Sequence, residues 1–260
     1  MAAFPPHIMA MARTPDKRDH RRPVAETPAA EIDAFLNQVR KAPPAPRDGA
    51  NRGRLIFSLD ATMSREPMWD RACQIQGEMF EATSLIGGLD VQLVFYRGYG
   101  ECKAGKWQPD AKGLARMMSA VRCMGGRTQI GKILTHGEKE AAQSAKLGRR
   151  VGALVFVGDA FEEDIDAVCQ KAGALGLHGV PVFMFQEGRD PIAEKAFREI
   201  ARLTGGAWCP FDLASPDQLK RLLSAVAVYA AGGIPALEDY SKAGGGGEAR
   251  QIADRLSGRR

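Results

Sequence analysis

Residues 59–64 (LDATMS) carry oxygen-bearing side chains at alternate positions, namely Asp60, Thr62 and Ser64. Alternate residues in a tight loop can turn one carboxylate and two hydroxyls toward a single point. Such hard oxygen ligands favour Mg²⁺ (or Mn²⁺), because Mg²⁺ demands near-octahedral oxygen coordination and usually keeps several waters. Hydroxyl ligands add geometry without adding negative charge. An ion held in this way stays electrophilic enough to bind a carboxylate from another molecule.

Two further stretches could complete such a metal site. Thr128 follows the glycine pair in GGRT, just before a helical apolar pattern, and Asp159 directly follows the apolar run 151–157 and Gly158. Taken alone, each fragment is also explained by an Asp, Ser or Thr that caps the next helix. The metal prediction therefore depends on the combination, since all the fragments fall at predicted strand or helix ends on one face.

The elements that must position these residues begin after residue 54, where short apolar runs alternate with helical periodicity. The predicted strands are 55–59, 91–96, 101–108, 151–157, 180–185 and 207–211, and the predicted helices are 67–84, 110–123, 130–147, 163–175, 191–203 and 216–231. This alternation predicts an α/β fold with a doubly wound, mostly parallel central sheet flanked by helices on both faces. Ligands bind such sheets beyond the carboxyl ends of the strands, at the switch in strand order.

The sequence resembles the von Willebrand factor type A (VWA) domain family, in its intracellular single-domain form. The metal-ion-dependent adhesion site of that family combines D-x-S-x-S, a Thr in a glycine-rich loop, and an Asp after a central strand. Asp60, Thr62 and Ser64 match the first motif, with Thr62 standing for Ser, while Thr128 matches the second and Asp159 the third. The resemblance covers about residues 52–232 and implies a Rossmann-like fold.

The resemblance also implies a role for each ligand. The residues of the first motif and Thr128 would bind the ion directly or by exchange with water, while Asp159 would act through water. The sequence departs from the family at one place, where the common T-D-G reads Gly158-Asp159-Ala160. This change removes a hydroxyl that could support the first carboxylate.

The family resemblance implies a non-enzymatic adaptor in a cytoplasmic complex, whose Mg²⁺ accepts an Asp or Glu carboxylate from a partner protein such as an AAA+ ATPase or another subunit. A metal-dependent hydrolase would use the same oxygens, but it needs a general base that the sequence does not offer. A phosphatase with an aspartyl nucleophile would need an acid where Thr62 stands. No phosphate-binding glycine loop occurs between a predicted strand and helix.

Charge suggests nucleic-acid binding, or association with a ribonucleoprotein, as an alternative function, because the net charge is +5 and the sequence pI is about 9.0. The excess lies at the ends of the chain. Residues 1–50 hold 8 basic and 6 acidic side chains, residues 241–260 hold 5 and 2, and residues 51–240 hold 23 of each sign. Any attraction to phosphates is therefore expected from the tails.

The same division gives the predicted domains. Residues 1–50 form a flexible N-terminal arm with an amphipathic helix at about 28–41, residues 51–240 form the VWA domain, and residues 241–260 form a Gly-rich basic tail. Ile32, Phe35, Leu36 and Val39 give the arm helix an apolar stripe. That stripe docks either on the body of this chain or on a partner.

Other features favour a protein of the reducing cytoplasm outside the membrane. No uninterrupted apolar run approaches the roughly 20 residues of a membrane-spanning helix. The 5 cysteines include no CxxC pair, which argues against zinc and a disulfide framework. The sequence also predicts a solvated helical face for His136 and Glu138. The acidic run 162–166 is interpreted as complementing the dipole of the helix that follows, with a second cation or a basic partner as the alternative.

Overall fold

The structure is a computed structural model that describes residues 29–42, 52–84, 87–212 and 216–242. The strands are β1 Gly53–Asp60, β2 Leu89–Arg97, β3 Glu101–Ala104, β4 Ala153–Gly158, β5 Val182–Glu187 and β6 Ala207–Phe211. The helices are α1 Ala29–Lys41, α2 Glu66–Thr83, α3 Ala111–Ser119, α4 Ile130–Lys146, α5 Ile165–Leu177, α6 Pro191–Thr204 and α7 Pro216–Lys242. The predictions for residues 1–28, for residues 43–51 and for residues 243–260 of the Gly-rich tail fall outside the described residues.

The strands form a six-stranded sheet in the order β3-β2-β1-β4-β5-β6. Only the β2–β3 pair in this sheet is antiparallel, and the other pairs are parallel. The predicted fold class is therefore confirmed. Strand β1 lies between β2 and β4, so the strand order reverses there. Doubly wound sheets bind ligands at such a switch, beyond the carboxyl ends of the strands, and the region at the carboxyl ends of β1 and β4 is called the crevice below.

Helices cover both faces of the sheet and define two apolar layers. Helices α1, α2, α3 and α7 pack on one face, and α4, α5 and α6 pack on the other. Neighbouring residues of β1 alternate between the layers, because Ile56 belongs to the second and Phe57 to the first, both fully buried. Each such burial stabilises the fold by about 1.5–3 kcal/mol, which keeps the strand ends in fixed positions.

Helix α1 packs on the body of this chain. Phe35 is 1% exposed, and its ring centroid lies 5.4 Å from that of Phe185 and 6.2 Å from that of Phe183. Val39, one turn further on, is also buried. In this structure the arm helix therefore docks in cis, while the boundaries of the predicted domain and tails stay predictions.

Helix α7 continues beyond the predicted end of that helix near residue 231. Gly233 has φ 69° and ψ −164° and kinks the helix just before Pro235. The segment Asp217–Tyr240 is long and apolar enough to cross a membrane, with a mean hydropathy of 1.2, but 67% of the tested window is buried within the fold. A side chain at Gly53 would come within 2.4 Å of the Ala231 Cα atom. The apolar surface of α7 thus belongs to the core against β1.

Candidate metal site at the carboxyl ends of β1 and β4

Asp60 is the last residue of β1 and lies in the crevice. It pairs in register with Tyr96 of β2 and is 1% exposed. The backbone N–H of Thr62 donates a hydrogen bond to Asp60 Oδ1 over 2.8 Å, which closes the loop and orients the carboxylate. Burial raises the pKa of Asp60, while the bond from Thr62 opposes that rise. A buried carboxylate is costly unless a cation or hydrogen bonds compensate for it, so this position favours a positive ligand.

The two hydroxyls of the loop lie side by side. Thr62 Oγ1 and Ser64 Oγ are 3.4 Å apart. Adjacent ligands of an octahedral Mg²⁺ lie about 3 Å from one another, given metal–oxygen distances of about 2.1 Å. Thr62 is buried and Ser64 is exposed, so the pair leads from the crevice toward solvent. The spacing fits two positions of one ion with a small adjustment.

The loop that carries Thr128 is fixed to the first motif. The backbone N–H of Met124 donates to the Ala61 carbonyl over 3.0 Å. Gly126 approaches the β2–β3 turn so closely that a Cβ atom would lie 2.1 Å from the Gly98 carbonyl oxygen, and only glycine permits this contact. These contacts also explain why the predicted helix 110–123 is too long. Helix α3 stops at Ser119 because the chain must leave it to reach Ala61.

Thr128 itself is tied to the loop that follows β4. Its hydroxyl accepts a hydrogen bond from the Glu162 backbone N–H over 2.9 Å, and its own N–H donates to Glu162 Oε2 over 3.2 Å. Thr128 is 5% exposed. The second motif is thus joined by paired hydrogen bonds to the loop that follows Asp159.

The acidic run 162–166 caps two helices, α5, as expected, and also α4. Asp164 accepts a bond from the Ala167 N–H over 2.7 Å and caps α5. Glu163 reaches the other loop, where it accepts from the N–H groups of Ile130 at 2.5 Å and Gly131 at 3.0 Å. Glu163 therefore satisfies free N–H groups at the start of α4. Its partner helix is set by the fold and not by its neighbours in sequence.

Asp159 lies next to a buried arginine that the sequence analysis did not single out. Asp159 Oδ2 is 3.4 Å from Arg65 Nη1, and the same nitrogen pairs with the carboxylate of Glu187 at the end of β5. Arg65 is 2% exposed. A signal for both missed residues exists in the sequence, since Arg65 directly follows the D-x-T-x-S motif and Glu187 follows an apolar run at the same edge.

The glycine before Asp159 has a packing explanation. A Cβ atom at Gly158 would lie 2.8 Å from the Phe156 ring, and that ring stacks on Tyr96 with centroids 6.2 Å apart. The pKa of Tyr96 is raised well above its ordinary value by burial first and then by the nearby Asp60 carboxylate. The Tyr96 hydroxyl has no hydrogen bond of good geometry to any described residue. A phenol, in place of a threonine hydroxyl, thus lies near the first carboxylate.

The predicted ligands lie in three loops and differ in how directly they contact one another. Asp60, Thr62 and Ser64 share one hydrogen-bonded loop, and Asp159 is near enough to raise the pKa of Asp60. Thr128 is held beside the loop after Asp159. Within the described ranges no group of three His, Cys, Asp or Glu side chains is arranged to hold a metal. An ion at this place would therefore need the hydroxyl oxygens of Thr62, Ser64 and Thr128 as well as carboxylate oxygens. The five-residue site remains a prediction.

The prediction of a solvated face at His136 is wrong. His136 Nε2 lies 2.9 Å from Gln92 Oε1, and the histidine is half-buried. Burial lowers the pKa of His136, and Glu140 partly opposes that effect. Gln92 lies in the amino-terminal half of β2, away from the carboxyl edge. His136 is therefore a packed group of α4 apart from the candidate site.

Comparisons with known proteins support the fold. No protein-family model and no curated protein matches the sequence. Among solved structures, BatB from Bacteroides thetaiotaomicron is 15% identical with a TM-score of 0.52, over 73% of this chain and 99% of that one. A von Willebrand factor type A protein from Catenulispora acidiphila is 13% identical with a TM-score of 0.54, over 68% of this chain and 43% of that one. The manganese-loaded TRAP protein of Plasmodium vivax is 12% identical with a TM-score of 0.50, over 66% and 73%.

These likenesses show that the chain has the VWA fold, as the resemblance in sequence predicted. At identities of 15% or less they establish the fold alone. The chain spans less than half of the C. acidiphila protein. Metal binding and a partner can therefore be inferred only from the residues of the crevice.

Proposed function

We propose that this protein is a non-enzymatic interaction module that binds Mg²⁺ or Mn²⁺ and, through the ion, an Asp or Glu carboxylate of a partner protein. The residues that would hold the ion are Asp60, Thr62, Ser64, Thr128 and Asp159. The observation that carries the proposal is the buried, hydrogen-bonded Asp60 beside the Thr62–Ser64 hydroxyl pair. This group lies at the strand-order switch, where doubly wound sheets bind ligands.

The chemistry of the donor set fits this role. A bound ion would supply a Lewis acid whose charge is only partly neutralised. Asp60 provides the buried anionic anchor, and the hydroxyls orient the ion without adding charge. Ser64 is exposed, so the open side of the site faces the solvent from which a partner carboxylate would arrive.

A protein of the same fold supports the proposal of a divalent ion. The equal numbers of basic and acidic side chains in residues 51–240 support the proposal of a protein partner. The P. vivax TRAP structure, which shares the VWA fold, is manganese-loaded. Residues 51–240 hold equal numbers of basic and acidic side chains, which gives the domain no overall excess to attract phosphates. From the family resemblance, the proposed role is that of an adaptor in a cytoplasmic complex, with an AAA+ ATPase or another complex subunit as the partner. Nucleic-acid binding through the basic tails remains the alternative prediction.

The test is affinity purification of the full chain in Mg²⁺ and in EDTA, in parallel with Asp60→Ala. The matched control is Asp166→Asn, which removes an exposed carboxylate in the first turn of α5. We expect partner retention for the wild type and the control in Mg²⁺, and loss with EDTA or Asp60→Ala. A complex that survives both EDTA and Asp60→Ala would contradict the proposal.

A further inference from the structure

Arg65 is a charged group of the crevice that the proposed function does not use. It is the last residue of a 3₁₀ turn, Met63–Arg65, which connects the Asp60 loop to α2. Its backbone N–H donates to the Thr62 carbonyl over 2.9 Å. The turn that presents the hydroxyls therefore also fixes the arginine. With its side chain 3% exposed, Arg65 belongs to a class of residue that is rarely buried unless paired.

The partners of Arg65 include a predicted metal ligand. Nη1 contacts both Glu187 and Asp159, and the contact with Asp159 is the looser of the two at 3.4 Å. The other nitrogens, Nε and Nη2, are buried without a hydrogen-bond partner among the described residues. A guanidinium cannot lose its charge at physiological pH. A permanent, incompletely satisfied cation thus lies against the carboxylates to which a divalent ion would be drawn.

We propose that Arg65 is the internal counter-ion of the site and competes with the divalent ion for Asp159. This inference rests on the proposed function. Without the ion, Arg65 balances Asp159 and Glu187. When the ion binds, Asp159 turns from Arg65 toward the ion and its waters, and Glu187 retains the guanidinium. Arg65 is a positioning residue that weakens metal affinity in two ways. It holds Asp159, and its positive charge repels the divalent ion.

The first test removes the cation. Arg65→Met keeps an unbranched apolar stem, and we expect the Mn²⁺ dissociation constant of the full chain to fall by about tenfold or more, because one like charge near a divalent ion is removed. Isothermal titration calorimetry with Mn²⁺ alone measures this change. The matched control is Arg198→Met, which removes an exposed arginine paired with Glu194 on α6. That variant should leave the affinity unchanged.

The second test changes the other partner. Glu187→Gln leaves Asp159 as the carboxylate that Arg65 contacts, so the arginine should hold Asp159 more tightly and Mn²⁺ affinity should fall severalfold. Glu187→Gln also removes a nearby negative charge, which alone would weaken binding. The double variant Arg65→Met/Glu187→Gln separates the two causes. If the effect passes through Arg65, Glu187→Gln changes affinity much less in the Arg65→Met background.

The outcomes distinguish this inference from the proposed function. Tighter binding with Arg65→Met, abolished by adding Asp60→Ala, supports the inference even if the wild type binds no measurable metal. If the wild type binds Mn²⁺ through Asp60 but Arg65→Met binds equally or more weakly, the competition is refuted and the metal site stands. Absence of binding by both the wild type and Arg65→Met overturns both. If Arg65→Met does not fold, Arg65→Gln, which also lacks the positive charge, replaces it in each of these comparisons.

Discussion

The hydroxyl of Thr128 accepts a hydrogen bond from the backbone N–H of Glu162 over 2.9 Å, which connects the loop before α4 to the loop after β4. The reciprocal bond from the Thr128 N–H to Glu162 Oε2 spans 3.2 Å. The predicted ligand Thr128 and the loop that follows Asp159 are thus held as one unit. Displacement of either loop would move a residue of the candidate site.

Replacing Thr128 by the isosteric valine should therefore impair both stability and metal binding. Thr128→Val removes the acceptor of the Glu162 N–H, and we expect the free energy of unfolding to fall by about 1 kcal/mol. Mn²⁺ affinity should fall as well, because a proposed ligand is lost. Thr128→Ser is the control, since it keeps the hydroxyl and should bind Mn²⁺ nearly as the wild type does. Urea unfolding and calorimetry measure the two effects, and equal affinity of the Val and Ser variants would remove Thr128 from the site.

The stability cost of Asp60 gives a second prediction. Because burial raises the pKa of Asp60, ionisation of this carboxyl group opposes folding at pH values above the ordinary pKa of an aspartate. Asp60→Asn keeps an oxygen that can accept from the Thr62 N–H and removes the charge. In EDTA we expect this variant to be more stable than the wild type by roughly 1 kcal/mol.

Divalent metal should reverse that order. An ion that binds only the folded wild type adds about 2.7 kcal/mol at 100 times its dissociation constant, whereas Asp60→Asn should gain little. Urea unfolding in EDTA and in excess Mn²⁺ provides the comparison. If Mn²⁺ stabilises both proteins equally, the ion binds somewhere other than at Asp60.

Local sequence was sufficient for the parts of the site that depend on near neighbours. Asp60, Thr62 and Ser64 lie within one loop, so a short motif after an apolar run could indicate their grouping. Local sequence does not reveal the role of Arg65, because the orientation of its side chain depends on Glu187, which β5 brings to the same edge of the sheet. The end of α3 was misplaced for a similar reason, since the bond from Met124 to Ala61 is a long-range contact.

A third prediction concerns the pH dependence of stability through His136. Burial lowers the pKa of His136 from its ordinary value of 6.5, so the unfolded chain takes up a proton that the folded chain resists. The free energy of unfolding should therefore fall as pH drops below about 6.5, and should continue to fall until the folded pKa is reached.

His136→Gln should reduce that loss, since glutamine does not titrate and can still hydrogen-bond to Gln92. His178→Gln is the control, on the C-cap of α5. Urea unfolding at pH 7.5 and 5.5 measures the difference for each protein. An identical pH dependence in the wild type and His136→Gln would show that another group is responsible.

The last prediction concerns Gly158, which stands where the VWA family commonly has threonine. Gly158→Thr would restore the family pattern, but its Cβ atom would meet the Phe156 ring at 2.8 Å. Phe156 has little room to yield, because it stacks on Tyr96 and meets Phe197 edge to face with centroids 5.5 Å apart. We expect overpacking to lower the free energy of unfolding by about 1–3 kcal/mol.

Gly158→Thr should lower the free energy of unfolding less in the Phe156→Leu background than in the wild type. The reason is that leucine leaves free the space that the ring occupies. Urea unfolding of the wild type, the two single variants and the double variant forms a complete cycle. A favourable coupling between the substitutions would show that Phe156 determines the glycine. Additive effects would mean that Gly158 is required by something other than the Phe156 ring.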